Sequence, residues 1–413
     1  MKKTILFAIL LALPAVLPAQ EFSTATMRQI TLGEAYTLAL AKSEALAQQA
    51  EGIKQLEAAE RQIASAFRPS FDLNASEYKQ QNSDAATKGY VTGSYSLFNG
   101  MRDYISAKAA SARTSAASYG LERARQALYV TVAQAYLNLY ALQEEVFIRR
   151  DQMDVTAKRI TELEARENIG RSRKSEVVAA KTQLAQDKTS YLNSAAAERI
   201  AQQALMFLTG LETDLTPAHF ARVTGENLEI YLKAVMARPD LAASRKSLES
   251  FNYLADIQDH NLWPTVGVGA DYYVIRHPMP SPTDRWDATI ALNLPLYTGG
   301  TSQALKDSAY SAKRSAALAL QLAERQALTD VRSSYEDYKY SILQADSLKD
   351  ALELAIENAK YQQEDYKLGL VTNLDVLTAL NSVLQTRLAL SQIKIQERFT
   401  LISLENAAGT EIK

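Results

Sequence analysis

Two pairs of short segments alternate between apolar and polar residues. From Trp286 to Leu296 every second residue is apolar, and the residues between them are mostly polar or small. The same pattern runs from Thr265 to Ile275 and, in shorter form, after Phe71 and Tyr90. Alternation over ~10 residues is typical of strands with one apolar and one wet face, including strands that cross an outer membrane. We therefore predict two β-hairpins, with strands at about 71–80 and 90–98, and at about 265–275 and 286–296.

A hairpin packed on the core of a soluble protein would show the same alternation. Two features favour a lipid-facing hairpin here. The strands lie between very long helices, and aromatic residues stand where an interfacial girdle is expected, at Tyr90, Tyr272, Tyr273, Trp286 and Tyr297. In the last strand the predicted lipid-facing residues are Ile290, Leu292 and Leu294.

Elsewhere the apolar residues recur every three or four positions, which predicts helices. Proline, the strongest helix breaker, is absent between Ser70 and Thr216 and after Pro295. A continuous helix from Arg102 to Asn168 would be roughly 100 Å long at 1.5 Å per residue. The predicted helices are Leu32–Ala66, Arg102–Asn168, Ser172–Thr209, Leu228–Leu262, Ser302–Lys367 and Thr372–Ala408.

The order of these elements repeats along the chain. Three pairs of glycines are each 199 residues apart, and Pro69 precedes Pro264 by 195 residues. The glycine pairs are Gly100 with Gly299, Gly170 with Gly369, and Gly210 with Gly409. The four-residue difference falls in a hairpin loop, where insertions are tolerated best. The pattern predicts a duplicated unit, with repeat one at 20–210, a linker at 211–226 and repeat two at 227–413.

The first residues are typical of a secretory signal. Lys2 and Lys3 precede an apolar stretch from Ile5 to Val16, and Ala19 is a suitable cleavage residue. We expect residues 1–19 to be a signal peptide and the mature chain to be exported. The absence of cysteine excludes disulfides, thiolate metal sites and a lipid anchor on cysteine. A net charge of −2, with 45 basic and 47 acidic residues interspersed, argues against a nucleic-acid partner.

Four strands cannot close a barrel. Open strand edges are not tolerated in lipid, because their backbone groups would remain without hydrogen bonds. Copies of the chain must therefore associate if the strands cross a membrane. Three copies of four strands would give a closed barrel of twelve strands, so the pattern predicts a homotrimer in outer membrane lipid.

Four short motifs stand out in the sequence, namely Gly299-Gly300, Arg238-Pro239-Asp240-Leu241, Tyr366-Lys367-Leu368-Gly369-Leu370 and Leu374-Asp375-Val376-Leu377. They resemble motifs of the TolC-type outer-membrane efflux proteins, and the resemblance covers essentially the whole mature chain. The resemblance implies an α plus transmembrane β fold. In it, tandem repeats of helix, β-hairpin, long helix and helix trimerise into a 12-stranded outer-membrane barrel continuous with a long periplasmic α-helical barrel. Most of the mass would lie in the periplasm.

The resemblance also implies a gate at the closed end of the helical barrel. Asp375 matches the first aspartate of the constriction, whereas the second position holds Thr378. Glu176 is the equivalent acidic residue of repeat one, and Tyr366 matches a tyrosine that restrains the closed state. Val371 stands where some members place an arginine. A hydrogen bond from Tyr366 to Glu176 is the predicted latch, although both acidic residues could simply favour a helix N-terminus.

The helix turns would contact a periplasmic adaptor protein. Gly369-Leu370 keeps the small-then-apolar pattern of a docking tip, but Gly170-Arg171 opens a strongly basic turn. That departure indicates a different adaptor or a charged form of the contact. A solvated basic turn without a partner is the other interpretation.

Catalytic and cofactor motifs are not evident in the sequence. The three histidines are scattered, without metal-ligand spacing, and neither a phosphate loop nor a nucleophile motif occurs. We expect no enzyme activity, metal or cofactor, and transport energy from an inner-membrane pump of the RND or ABC type. The leading hypothesis is an exit duct for small-molecule efflux. A duct for type I polypeptide secretion and a periplasmic coiled-coil tether without a pore are the alternatives.

Overall fold

The long helices and the four longer strands follow the predicted order in the computed structural model, which describes residues 28–79, 81, 85–220, 223–277 and 284–410. The predicted signal peptide, residues 1–19, lies outside the described residues. The elements of the first half are β1 Arg28–Ile30, α1 Leu32–Lys42, α2 Glu44–Ala64, β2 Ser70–Tyr78, β3 Ala86–Asn99, α3 Arg102–Asn168, α4 Lys174–Thr209 and β4 Leu215–Pro217. Those of the second half are α5 Leu228–Ala234, α6 Pro239–Asp259, β5 Thr265–His277, β6 Trp286–Asn293, α7 Thr301–Leu368 and α8 Asn373–Ala408.

The long helices α3 and α7 contain 67 and 68 residues, so each is roughly 100 Å long. Near the strands, α3 packs against α2 and α6; toward the other end it packs against α4 and α8. Ser250 of α6 donates a hydrogen bond to the carbonyl of Ala109, and Thr156 of α3 donates one to Asp187 of α4. Each long helix thus spans two shorter ones placed end to end. Among the described helices, none combines the length and apolar character needed to cross a membrane.

Two predicted helices are interrupted. The first breaks at Ser43, which has an extended backbone and caps α2 by accepting a hydrogen bond from the amide of Leu46. The second breaks before Pro239, which begins α6. The proline ring disfavours helical geometry in the preceding residue, and Arg238 accordingly has ψ of 137°.

The four longer strands form one antiparallel sheet in the order β2-β3-β5-β6. The β3–β5 pairing joins the two predicted hairpins, and β2 and β6 are the edge strands. The strand ends lie within two residues of the prediction except at two places. The strand β3 begins earlier, at Ala86, and β6 ends at Asn293 instead of Leu296. Pro295 has no amide hydrogen for strand pairing, which is consistent with the early end. Leu294 therefore lies one residue beyond the strand.

The strand register separates the two faces of this sheet. Residues that are paired across neighbouring strands point to the same side of the sheet. Two such rows show that one side is apolar and the other is polar. One row is Leu73, Val91, Tyr272 and Trp286; the adjacent row, on the other face, is Asp72, Thr92, Asp271 and Asp287. On the polar face Thr92 donates a hydrogen bond to Asp271 at 2.7 Å. On the apolar face Ile290 and Leu292 are 75% and 70% exposed within the single chain.

The predicted linker contains a short strand that the sequence analysis did not find. Strand β4 pairs in parallel with β1, and this small sheet packs on the middle of α3. The hydroxyl of Tyr136 donates to the carbonyls of Ile30 and Ala218, both at 3.0 Å. The linker therefore has its own buried anchor on the long helix.

Candidate functional site

The turns at the strand-distal ends of the long helices have the same backbone form. Gly170 follows α3 with φ of 74°, and Gly369 follows α7 with φ of 79°. These left-handed conformations favour glycine because a Cβ atom would be strained there. The amide of Arg171 donates to the carbonyl of Arg166 at 2.8 Å, and the amide of Leu370 makes the equivalent bond at 3.0 Å. Both are the closing bonds of a Schellman motif, which ends a helix and reverses the chain.

Tyr366 and Glu176 meet beside these turns. The phenol of Tyr366, in the last turns of α7, donates to Oε2 of Glu176 at 2.9 Å. Ser172 donates to the same oxygen at 2.7 Å. The ring of Tyr366 is buried in an apolar cluster that includes Leu163 of α3 and Val376 of α8. The predicted hydrogen bond is therefore present, and its surroundings join all four helices at this end of the molecule.

The electrostatics of this pair favour a charged carboxylate and a protonated phenol. Partial burial alone would raise the pKa of Glu176, but hydrogen bonds from Ser172 and Tyr366, helped by Arg173, lower it below its ordinary value. Burial raises the pKa of Tyr366, and its bond to the Glu176 carboxylate raises it further. The phenol remains a donor and the carboxylate an acceptor at neutral pH.

Arg159 of α3 is a residue of this site that the sequence analysis missed. Its guanidinium carbon lies 4.2 Å from the centroid of the Tyr366 ring, and its side chain is 6% exposed. Nε donates to the side-chain oxygen of Asn373, the first residue of α8, at 3.1 Å, and Nη1 pairs with Glu162 at 2.8 Å. Its spacing along the helix could have indicated that it is buried, because Arg159 lies between Thr156 and Leu163 on the face that α3 buries.

Asp375 and Thr378 lie on the first turns of α8 and make local bonds. Oδ2 of Asp375 accepts hydrogen bonds from the amide and hydroxyl of Thr372, at 2.8 and 2.6 Å, which completes a capping box. These bonds lower the pKa of Asp375. Thr378 donates to the carbonyl of Leu374 at 2.8 Å. The structure thus gives Asp375 a helix-capping role, and neither residue is brought into the Tyr366–Glu176 pair.

The two turns present different surfaces. At the α7–α8 turn three leucines, Leu368, Leu370 and Leu374, are exposed, with Leu370 at 71%. At the α3–α4 turn the exposed residues include Arg171, Arg173 and Lys174. One tip is therefore apolar and the other is basic, as the sequence indicated.

A family profile for outer membrane efflux proteins matches residues 35–211 and 231–410. The chain belongs to the outer membrane efflux protein family. It is 26% identical over 361 residues to the outer membrane efflux protein BepC of Brucella suis biovar 1, covering 84% of this chain and 78% of that protein. It is 24% identical over 360 residues to the outer membrane protein TolC of Vibrio cholerae, covering 82% and 80%.

The fold of this family member is also that of solved outer membrane proteins. The structure of VceC from Vibrio cholerae superposes with a TM-score of 0.83 at 22% identity, covering 92% of this chain and 97% of that one. The family assignment confirms the predicted resemblance and places the chain in the outer membrane. The efflux and channel character of the family agrees with the predicted type of function.

Proposed function

We propose that the chain is one protomer of a homotrimeric exit duct, which carries small molecules across the outer membrane. An inner-membrane pump of the RND or ABC type would supply the molecules through a periplasmic adaptor protein. The observation that carries this proposal is the four-stranded sheet, which has one apolar face, one polar face and, in the part of the chain that the structure describes, edges at β2 and β6 that pair with no further strand.

This sheet is incomplete as a membrane structure. Its apolar face exposes Phe71, Leu73, Ile290 and Leu292, whose burial against lipid is favourable. The outer edges of β2 and β6 cannot remain unpaired in the hydrocarbon region. If the β6 edge of one copy pairs with the β2 edge of the next, three copies of four strands close a twelve-stranded barrel with its polar face toward the lumen.

The helices would continue the wall below the barrel. Each protomer contributes α3 and α7, roughly 100 Å long, with the shorter helices between and beside them. The left-handed backbone at Gly100, Gly170 and Gly210 recurs at Gly299, Gly369 and Gly409, which supports a duplicated unit, with repeats at 20–210 and 227–413 around the linker. Most of the protein would then lie in the periplasm.

The gate would be the turn end, where the hydrogen bond from Tyr366 to Glu176 holds α7 against α4 in a closed arrangement. Asp375 and Thr378 would face the constriction from α8. The adaptor would contact the turns at Gly170, Arg171, Gly369 and Leu370, which are exposed. The name of the relative BepC, an outer membrane efflux protein, supports efflux as the activity. The pump would provide the energy, and the duct itself would catalyse no reaction.

The mass and conductance of the detergent-purified protein test this proposal. Light scattering should give a protein mass of three mature chains, and the same sample should form ion-conducting channels in planar bilayers. A monomer that forms no channels would contradict the duct and favour a tether without a pore.

A further inference from the structure

Arg159 contacts three of the elements that meet at the turn end. It lies on α3, its guanidinium covers the Tyr366 ring of α7, and it donates to Asn373 at the start of α8. Asn373 is 2% exposed, so this contact is buried on both sides. Glu162, which pairs with Nη1, lies one turn away on the same helix.

We infer that Arg159 is a positioning residue of the latch, acting through Tyr366; this inference rests on the proposed gate function. A cation over the face of an aromatic ring is attracted to it, more strongly where water is excluded. The guanidinium therefore fixes the ring plane of Tyr366, and with it the direction in which the phenol reaches Glu176. The bond to Asn373 ties the same guanidinium to α8, so that α7 and α8 are held to α3 by one side chain.

The contacts of Arg159 require the planar guanidinium group of arginine. Nε donates to Asn373 of α8 and Nη1 to Glu162 of α3, while the guanidinium carbon lies 4.2 Å from the ring centroid. A lysine ammonium is a point charge and cannot reproduce these contacts together. Arg166, about two turns further along α3, lies 5.1 Å from the ring centroid and is the more distant cation neighbour.

The test is single-channel conductance of the full-length trimer carrying Arg159→Gln, alone and combined with Tyr366→Phe. Loss of the cation–ring contact should shift the ratio of open to closed channels by roughly twofold to thirtyfold. In the Tyr366→Phe background, where the phenol is already gone, the same substitution should have a clearly smaller effect. Arg149→Gln is the matched control, because Arg149 is another α3 arginine paired with a glutamate on its own helix, Glu145.

Arg159→Lys gives the second readout, since it keeps the charge and should open the channel to an intermediate degree. Wild-type conductance in Arg159→Gln, with raised conductance in Tyr366→Phe, would overturn this inference and leave the latch intact. Unchanged conductance in both would overturn the latch and the inference together. If neither the Gln nor the Lys variant assembles while Arg149→Gln does, Arg159 is a folding residue and the inference fails.

Discussion

The phenol of Tyr366 donates to the carboxylate of Glu176 across 2.9 Å, joining the end of α7 to the beginning of α4, 190 residues apart in the chain. Both residues sit next to glycine turns that reverse the chain, Gly369 and Gly170. The bond therefore ties the turn of one half of the chain to the turn of the other. Any movement that separates these turns must break it.

Removing this hydrogen bond should favour the open state. Tyr366→Phe keeps the ring and its packing but removes the donor, and Glu176→Ala removes the acceptor. A hydrogen bond to a carboxylate in a partly exposed site is worth about 1–2 kcal/mol, a roughly five- to thirtyfold change in the open-to-closed ratio. Single-channel recordings in planar bilayers measure this ratio as the open probability of the channel. Tyr361→Phe is the control, because Tyr361 is an exposed tyrosine on the same helix. Equal conductance in all variants would contradict the latch.

Acid should weaken the same contact. The pKa of Glu176 is lowered in the latched state, so its charge stabilises the latch fully above the ordinary value of 4.5. That contribution is lost as the pH falls through the lowered pKa. Open probability should therefore rise below about pH 4.5 in the wild type and remain flat in Glu176→Gln. Asp375 also has a lowered pKa, so Asp375→Asn is the comparison that should keep the acid response. A response that survives in Glu176→Gln would show that another group is responsible.

Arg238 should be a stability residue remote from the gate. It is 5% exposed and donates to the carbonyl of Ala407, near the end of α8, at 2.9 Å, and to Asp240 at 3.0 and 2.7 Å. Replacing it with methionine removes the bond to Ala407 and both bonds to Asp240, and should cost about 2–3 kcal/mol. The free energy of unfolding in detergent measures the loss. Arg245→Met, which removes a more exposed pair with Glu324, should cost less than about 1 kcal/mol. Similar losses of unfolding free energy in Arg238→Met and Arg245→Met would show that burial of the arginine does not determine its contribution to stability.

Most of the helical fold could be predicted from the sequence because the signals are local. Proline-free stretches with regular apolar spacing gave the bounds of α3, and glycine marked its end. The errors arose where a single residue competes with the surrounding pattern. Ser43 satisfies backbone groups with its own side chain, and Pro239 changes the conformation of its predecessor. The β1–β4 sheet was missed because three-residue strands carry too little periodicity to detect.

The candidate site was predictable only in part. Tyr366 and Glu176 belong to turn motifs that resemble those of the efflux family, and that resemblance implied their pairing. Arg159 has no such motif, and its role depends on how α3 packs against α7 and α8, which spacing along one helix does not specify. Asp375 is ambiguous in the sequence, because its position fits both a constriction residue and the acidic residue of a capping box. The structure shows the capping bonds.

The account depends on the apolar face of the four-stranded sheet lying against lipid, and a pair of lysine variants tests this most directly. Ile290→Lys with Leu292→Lys places two charges on that face, whereas Thr289→Lys with Ala291→Lys places them on the polar face of the same strand. Each lysine facing lipid near the bilayer midplane should cost about 2–4 kcal/mol. The measurement is the amount of trimer recovered from outer membranes. We predict that the first variant is lost and the second is recovered normally. Normal recovery of both would contradict the membrane barrel.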